Sequence, residues 1–121
     1  MRRELTFGEK TAVLIRARGL RLVKKYVVAG GRVLGEYIYI RVRGMEIEAE
    51  YDVEDRALYY LSICGRSCVV WTDGEPDKAP GRNAVRRAYV ILREAAKFSS
   101  AARAALRIIR RYRHSRSTHR S

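Results

Sequence analysis

Apolar and polar side chains alternate between Tyr37 and Glu50, and the alternation is mirrored about the dipeptide Arg43-Gly44. Such alternation predicts two β-strands, and a two-residue loop that ends in Gly favours a hairpin between them. With this loop one face is wholly apolar and pairs Val42 with Met45, Ile40 with Ile47, and Ile38 with Ala49. The other face pairs Arg41 with Glu46, Tyr39 with Glu48, and Tyr37 with Glu50. A shift of one residue would mix the faces, so the pattern predicts the register as well as the hairpin.

Strand signals extend from Leu20 to Thr72, where β-branched and aromatic residues are punctuated by glycine. Leu20–Val28 and Val33–Val42 flank Gly30-Gly31, and Gly35 is a candidate bulge. Leu58–Cys64 and Cys68–Thr72 flank the turn Gly65-Arg66-Ser67. We therefore expect an antiparallel sheet of four to five strands, built as a meander of hairpins.

A helix is predicted on the N-terminal side of this sheet, over residues 5–18. Thr6 and Glu9 have the spacing of a capping box, and Gly19 stands where a C-terminal cap would lie. The compact apolar run Ala12-Val13-Leu14-Ile15 fits a strand instead, so that alternative stays open.

Two helices are predicted on the C-terminal side, after the Pro-containing loop Asp73–Gly81. The first is capped by Asn83 and extends to about Phe98, and its apolar stripe is Val85, Ala88, Leu92 and Ala95. The second is capped by Ser99 or Ser100 and extends to about Tyr112, with Ala102, Ala105, Leu106 and Ile109 inward. The predicted fold class is α+β: residues 1–112 form a single globular domain, and residues 113–121 form a disordered basic tail.

Charge is distributed very unevenly along the chain, whose net charge is +13. Residues 1–43 hold eleven basic and three acidic side chains, residues 44–80 hold three and nine, and residues 81–121 hold twelve and one. The two basic ends should attract polyanions, so the expected partner is nucleic acid, either RNA or DNA. Abundant charge, no Gln and a single Asn indicate a thermophilic source. Without an apolar segment of spanning length or a signal sequence, we expect a cytoplasmic protein.

Arginines of the last helix form the candidate binding stripe. Arg103, Arg107, Arg110 and His114 share one face, with Arg111 beside them, and their mutual repulsion would be relieved by phosphate. The predicted nucleic-acid-binding residues are Arg86, Arg87, Arg103, Arg107, Arg110, Arg111 and Arg113. A solvated helix face is the competing interpretation. A membrane partner is not expected, because the apolar side of this helix is mostly alanine, which is a poor anchor.

A second basic surface is the polar face of the predicted hairpin, where Tyr37, Tyr39, Arg41 and Arg43 alternate. Aromatic and Arg side chains on an open sheet can stack bases and bind phosphates. However, Glu46, Glu48 and Glu50 lie opposite, so ordinary cross-strand pairing is favoured here.

Cys64 and Cys68 are the only cysteines, and they flank a three-residue turn. They form either a disulfide or two buried free thiols. No structural metal is expected at them, because both histidines lie in the presumed tail, and no cofactor is predicted.

Three carboxylates, Asp73, Glu75 and Asp77, alternate in the loop that follows and could hold a magnesium ion. The segment from Arg66 to Gly74 resembles the LAGLIDADG stretch of homing endonucleases. Asp73-Gly74 falls on the closing Asp-Gly of that stretch and Ser67-Cys68 on its small Ala-Gly pair, whereas Cys68 and Trp71 depart from the pattern. The resemblance implies a nuclease in which Asp73 binds a catalytic metal at a helix end.

The function expected from these features is non-catalytic nucleic-acid binding through the phosphate backbone, as in a ribonucleoprotein or chromatin component. One alternative is a metal-dependent nuclease that uses Asp73 and Glu75. The other is a protein-interaction or oligomerisation module, in which the acidic middle of one copy docks on the basic ends of another to give a homo-oligomer.

Overall fold

One antiparallel sheet followed by two helices makes up the fold, which the computed structural model describes over residues 13–17 and 20–119. The strands are β1 (Val13–Ala17), β2 (Leu20–Ala29), β3 (Arg32–Val42), β4 (Met45–Asp52), β5 (Ala57–Cys64), β6 (Cys68–Thr72) and β7 (Glu75–Pro76). They lie in the sheet in chain order, each antiparallel to the next. The α+β class and the meander are confirmed. The predicted count of four to five strands is too low, because six strands have five residues or more and β7 adds a two-residue seventh.

The N-terminal helix predicted over residues 5–18 is not found where the chain is described. Val13–Ala17 is a strand that pairs with β2, with Leu14 opposite Val23 and Ile15 opposite Leu22. A β-branched, apolar run prefers a pleated surface once a partner strand is available, and β2 supplies that partner. Residues 1–12, including the proposed capping box, lie outside the described residues.

The hairpin of β3 and β4 has the predicted register throughout, from Val42 opposite Met45 to Tyr37 opposite Glu50. Its two-residue loop takes positive φ at both positions, 27° at Arg43 and 73° at Gly44. A loop of this kind matches the right-handed twist of the strands that it joins.

The hairpins around Gly30-Gly31 and around residues 65–67 are also confirmed. The register shifts between Val27 and Val28 of β2, beside Gly35 of β3, which confirms the bulge.

Two helices, α1 (Arg82–Ala95) and α2 (Ser100–His119), follow the sheet and bury its apolar face. The sheet contributes Leu22, Ile38, Ile40, Met45, Ile47, Ala49, Leu58, Leu61, Ile63, Val69 and Trp71 to the core. The helices contribute Val85, Ala88, Ile91, Leu92, Ala95, Ala101, Ala102, Ala104, Ala105, Leu106, Ile108 and Ile109. Every helix residue predicted to face inward is buried. The small side chains of α2 allow its backbone to lie close to the strands.

The helix ends differ in part from the prediction. Gly81, whose backbone is extended, precedes the first residue of α1, so Asn83 lies within the first turn and is not the cap. The helix also ends at Ala95, before Phe98. By contrast, Ser99 is a cap of α2, because its Oγ accepts the Ala102 N–H at 3.0 Å. α2 continues to His119, past the predicted end near Tyr112 and into the segment predicted to be disordered.

The start of α2 is tied to the sheet by Glu36, a buried carboxylate on β3. It accepts hydrogen bonds from the Ser99 hydroxyl and, at 3.2 Å, from the Ala101 N–H. Next to it, Lys24 Nζ donates to the Phe98 carbonyl at 2.5 Å. A buried carboxylate needs such donors, and the first turn of a helix supplies free N–H groups and a favourable dipole. These bonds fix where α2 begins relative to β2 and β3.

Neither of the helices in the described part of the chain is long and apolar enough to cross a membrane.

Candidate nucleic-acid interface

The two helices and the segment joining them present a strongly basic surface, called here the helix surface. Its exposed members are Arg82, Arg86, Arg87, Arg93, Lys97, Arg103, Arg107, Arg110, Arg111 and Arg113. All seven arginines predicted to bind nucleic acid belong to it. The single acid of residues 81–121, Glu94, is half-buried and pairs with Lys97 at 3.3 Å. Among ion pairs that join described residues, none involves an arginine of this surface.

Tyr89 of α1 lies at the centre of an arginine cluster formed by both helices. The Arg113 guanidinium carbon is 3.8 Å from the centre of its ring, and that of Arg93 is 5.6 Å away. The Arg110 guanidinium also lies near the Tyr89 hydroxyl. Desolvation raises the pKa of this hydroxyl, but the interaction with Arg110 and the charges of Arg113 and Arg93 outweigh it and lower the pKa. We call Tyr89, Arg93, Arg110 and Arg113 the Tyr89 cluster.

Sequence reasoning missed Tyr89 and Arg93 as parts of a site. Tyr89 stands beside the apolar stripe of α1 and reads as a boundary residue of the core. Its spacing of four residues from Arg93 was a usable signal, since residues at i and i+4 are neighbours on a helix. The approach of Arg110 and Arg113 depends on how α1 and α2 pack, which neither helix reveals alone.

Two of the predicted arginines have structural contacts. Arg103 donates from Nη1 to the Ala96 carbonyl at 2.7 Å and from Nη2 to Ser100 Oγ at 3.0 Å. It therefore satisfies a carbonyl just past the end of α1. Arg87 donates from Nη2 to the Arg43 carbonyl at 2.8 Å and so ties α1 to the β3–β4 turn. Both side chains remain exposed, and both retain further N–H groups because a guanidinium carries five.

The other predicted arginines lie on two different sides of the helices. Arg107 and Arg111 line a shallow groove beside the β6–β7 turn, together with Arg56 and Asp73. Arg86 lines a separate groove near the start of α1. The structure thus brings Arg110 and Arg113 together at Tyr89 and places Arg86, Arg107 and Arg111 elsewhere on the helix surface.

The open face of the sheet, opposite the helices, carries tyrosines beside carboxylates. Tyr37 donates to Glu48 at 2.5 Å, and the carboxylates of Glu46 and Glu50 lie near the Tyr39 and Tyr59 hydroxyls. Desolvation and the nearby carboxylates raise the pKa of all three phenols. The Cα register is as predicted, but the Tyr37 hydroxyl bonds the diagonal Glu48 and not Glu50, which lies opposite. Carboxylates between the rings would repel phosphate, which opposes base stacking on this face.

Cys64 and Cys68 are joined by a disulfide at directly opposite positions of β5 and β6, so the free-thiol alternative does not hold.

In the turn that follows β6, Asp73 and Gly74 have φ of 52° and 86°. Asp73 therefore lies in a β-turn and not at the helix end that the resemblance to homing endonucleases implies. The Asp77 carboxylate accepts a hydrogen bond of 3.0 Å from the Val70 N–H on β6. No group of three or more His, Cys, Asp or Glu in the described chain could hold a metal ion.

Comparisons with protein-family models, with curated protein sequences and with solved structures find no significant match.

Proposed function

We propose that this protein binds RNA or DNA without catalysing a reaction, by placing its helix surface against the phosphate backbone. The observation that carries the proposal is the Tyr89 cluster, in which three arginines from two helices converge on one tyrosine. Like charges this close repel one another, so the free protein is less stable than it would be with interleaved acids. A phosphate backbone would supply the missing negative charge and release its own counterions.

The chemistry of the cluster favours phosphate over other anions. Arg113 lies over the face of the Tyr89 ring, and this contact uses the face of the guanidinium while leaving its edge N–H groups available. Those edge groups match the oxygen spacing of a phosphate in a bidentate arrangement. A stacked guanidinium also loses less side-chain freedom on binding than a free one does.

An anionic membrane is a less suitable partner. The exposed large apolar residues of the helical segment are Val90 and Phe98, and both are single residues among charged neighbours. Interfacial helices need a continuous apolar face to enter the headgroup region, and the apolar faces of α1 and α2 are buried against the sheet.

The distribution of charge supports an oriented approach to nucleic acid. The helix surface carries ten exposed basic side chains, whereas on the open face of the sheet Arg21, Lys25 and Arg41 are balanced by Glu46, Glu48 and Glu50. A polyanion would therefore be attracted more strongly to the helix surface. Because contacts to phosphate carry no sequence information, we expect little sequence preference.

Salt-dependent binding tests this proposal. Fluorescence anisotropy would be measured with labelled duplex DNA, duplex RNA and single strands at several salt concentrations. We expect the logarithm of the affinity to fall linearly with the logarithm of the salt concentration, with a slope of about −0.9 per duplex phosphate contacted. An affinity that does not change with salt would contradict the proposal.

Self-association is a second candidate, and the uneven charge along the chain favours it. The segment of residues 44–80, with nine acidic and three basic side chains, is opposite in charge to the helix surface of another copy. Sedimentation at low and high salt would test this, since an association of this kind dissociates when salt screens the charges. A protein that is monomeric at both low and high salt would exclude self-association.

A further inference from the structure

A groove between the β5–β6 turn and the first two turns of α1 collects three arginines from two elements far apart in the chain. Arg66 comes from the turn, and Arg86 and Arg87 come from α1. The volume of the groove is about 530 Å³, and Ser67 and Asn83 also line it. Of the described residues that line this groove, none is acidic. We call it the Arg66 groove.

We propose that the Arg66 groove binds one phosphate group of the nucleic acid. The inference rests on the proposed function and adds a defined site, with Arg66 as a residue that sequence reasoning did not select. Three guanidinium groups provide charge and forked donors, while the Ser67 hydroxyl and the Asn83 amide add neutral donors. A phosphate, with its charge and several acceptor oxygens, uses this donor set more fully than a carboxylate does.

The apolar floor of the groove strengthens the attraction between its arginines and a phosphate. Met45, Ile63 and Val69 line it and belong to the buried core. Apolar walls lower the local dielectric constant, so a guanidinium attracts phosphate more strongly here than on a flat, fully hydrated surface. Field lines from the three arginines are focused into the same concave space.

Covalent and hydrogen-bonded contacts hold the groove in place before a ligand arrives. The Cys64–Cys68 disulfide closes the turn that carries Arg66, and within that turn the Gly65 N–H donates to the Ser67 carbonyl at 2.9 Å. On the other wall, Arg87 is anchored to the Arg43 carbonyl. Because both walls are restrained, less ordering is required on binding.

The groove and the Tyr89 cluster lie along the same helix. Arg86 and Arg93 are seven residues apart on α1, which corresponds to about 10 Å along the helix axis. A nucleic-acid backbone that crosses the helix surface can therefore contact both places. This arrangement gives the nonspecific surface one site at which a phosphate is held by several donors.

Arg66→Ala tests the site, with Arg32→Ala as the matched control. Both changes remove one exposed positive charge, but Arg32 lies at the β2–β3 turn and pairs with Glu54 at 3.3 Å. We expect Arg66→Ala to weaken binding of a labelled oligonucleotide by about fivefold, as for the removal of one partly screened charged interaction, and Arg32→Ala to leave it nearly unchanged. Equal effects of the two variants would overturn the proposal.

Inorganic phosphate provides a second readout that does not depend on nucleic acid. In a ¹H–¹⁵N NMR titration, the amides of Gly65, Ser67 and Asn83 should shift saturably with phosphate. They should not do so with sodium chloride at the same ionic strength, or in Arg66→Ala. Shifts spread evenly over the helix surface would overturn the site.

The two experiments separate the failure of the site from the failure of the proposed function. If the oligonucleotide binds the wild type but Arg66→Ala behaves like Arg32→Ala, the site is wrong and the function stands. If phosphate saturates the groove but no oligonucleotide binds, the function is wrong and the groove is an anion site of another kind.

Oligonucleotides with and without a 5′-phosphate distinguish a terminal phosphate from a backbone phosphate as the ligand. A preference for the 5′-phosphate that is lost in Arg66→Ala assigns the groove to the chain end, and equal binding assigns it to the backbone.

Discussion

The Tyr37 hydroxyl donates a hydrogen bond of 2.5 Å to Glu48, which lies diagonally across the β3–β4 hairpin from it, while Glu50 lies directly opposite. Tyrosine side chains are long enough to reach the diagonal neighbour on a sheet. The bond is made to an ionised acceptor and so is stronger than one between neutral groups. It holds the Tyr37 proton in place, and burial together with Glu48 raises the pKa of this phenol.

This raised pKa predicts a loss of stability in alkali. Above about pH 10 the unfolded chain loses the Tyr37 proton while the folded protein keeps it, so the folded form holds more protons. The free energy of unfolding must then fall as the pH rises through this range, whereas at neutral pH the contribution is fully present. Thermal melting at about pH 8 and about pH 11 should show a smaller decline in Tyr37→Phe than in the wild type.

Tyr60→Phe is the control for this prediction, because it removes a half-buried phenol and leaves the Tyr37–Glu48 bond intact. Glu48→Gln should behave like Tyr37→Phe in direction, since an amide still accepts the bond but has no charge to repel a phenolate. The same decline in the wild type and in Tyr37→Phe would mean that this bond does not hold the proton.

Ser99 and Glu36 are expected to stabilise the protein as one unit. Ser99→Ala removes the cap of α2 and should lower the free energy of unfolding by about 1–2 kcal/mol. Glu36→Leu leaves the Ser99 hydroxyl and the Ala101 N–H without their acceptor and should cost about 1–3 kcal/mol. Since both changes break the same network, the double variant should lose less than the sum. Urea denaturation followed by circular dichroism would measure this, and strictly additive losses would show that the two residues act separately.

Removing the arginines of the Tyr89 cluster should weaken nucleic-acid binding without unfolding the protein. The triple change of Arg93, Arg110 and Arg113 to Ala should reduce the magnitude of the salt slope by about 0.9 for each duplex phosphate that the variant no longer binds. Arg103 is left out, because its contact with the Ala96 carbonyl would confuse binding with stability. Anisotropy gives the slope, and circular dichroism verifies the fold.

A control of equal charge is available for this triple variant. Changing Arg21, Arg32 and Arg41 to Ala removes the same net charge from exposed positions on β2 and β3. If the two triple variants bind equally weakly, affinity follows the total charge of the protein and not the Tyr89 cluster.

Reduction of the Cys64–Cys68 disulfide should destabilise the protein only modestly. The loop that it closes is short, so the loss of entropy that it imposes on the unfolded chain is worth about 2 kcal/mol. The β5–β6 pairing should persist, because the hydrogen bonds of the ladder do not depend on the bridge. The urea midpoint with and without reductant measures the effect. A variant with Ser at both positions should show no response to reductant.

The parts of the fold that could be predicted are those in which one face of an element is buried. The β3–β4 register followed from the alternation about Arg43-Gly44, because only one register sorts the apolar side chains to one side. The inward faces of α1 and α2 followed from helical periodicity for the same reason. β1 could not be assigned, since a short apolar run such as Ala12-Val13-Leu14-Ile15 fits a buried strand and a helix equally well. The predicted cap of α1 was wrong. Asn83 has the chemistry of a cap, but the helix begins at Arg82 and its N-cap is Gly81.

The candidate site could be predicted only as a set of charges. Sequence spacing placed Arg103, Arg107 and Arg110 on one face of α2, but which arginines meet depends on helix packing. Glu36 did leave a trace, because it breaks the apolar series Ile38, Ile40 and Val42 on the inward face of β3. A charged residue at such a position indicates a buried partner, but its partner Ser99 is 63 residues away and nothing local identifies it.

That distance has a consequence for the order in which the chain folds. Every strand of the sheet pairs with its neighbour in the chain, so the hairpins can form one after another from local contacts. The bond between Glu36 and Ser99 must wait until the sheet exists and the whole intervening segment has been made compact. We expect it to be absent from the folding transition state. Ser99→Ala would then speed unfolding and leave the rate of folding nearly unchanged. The bond between Glu36 and Ser99 would thus form after the transition state and slow the unfolding of the native protein.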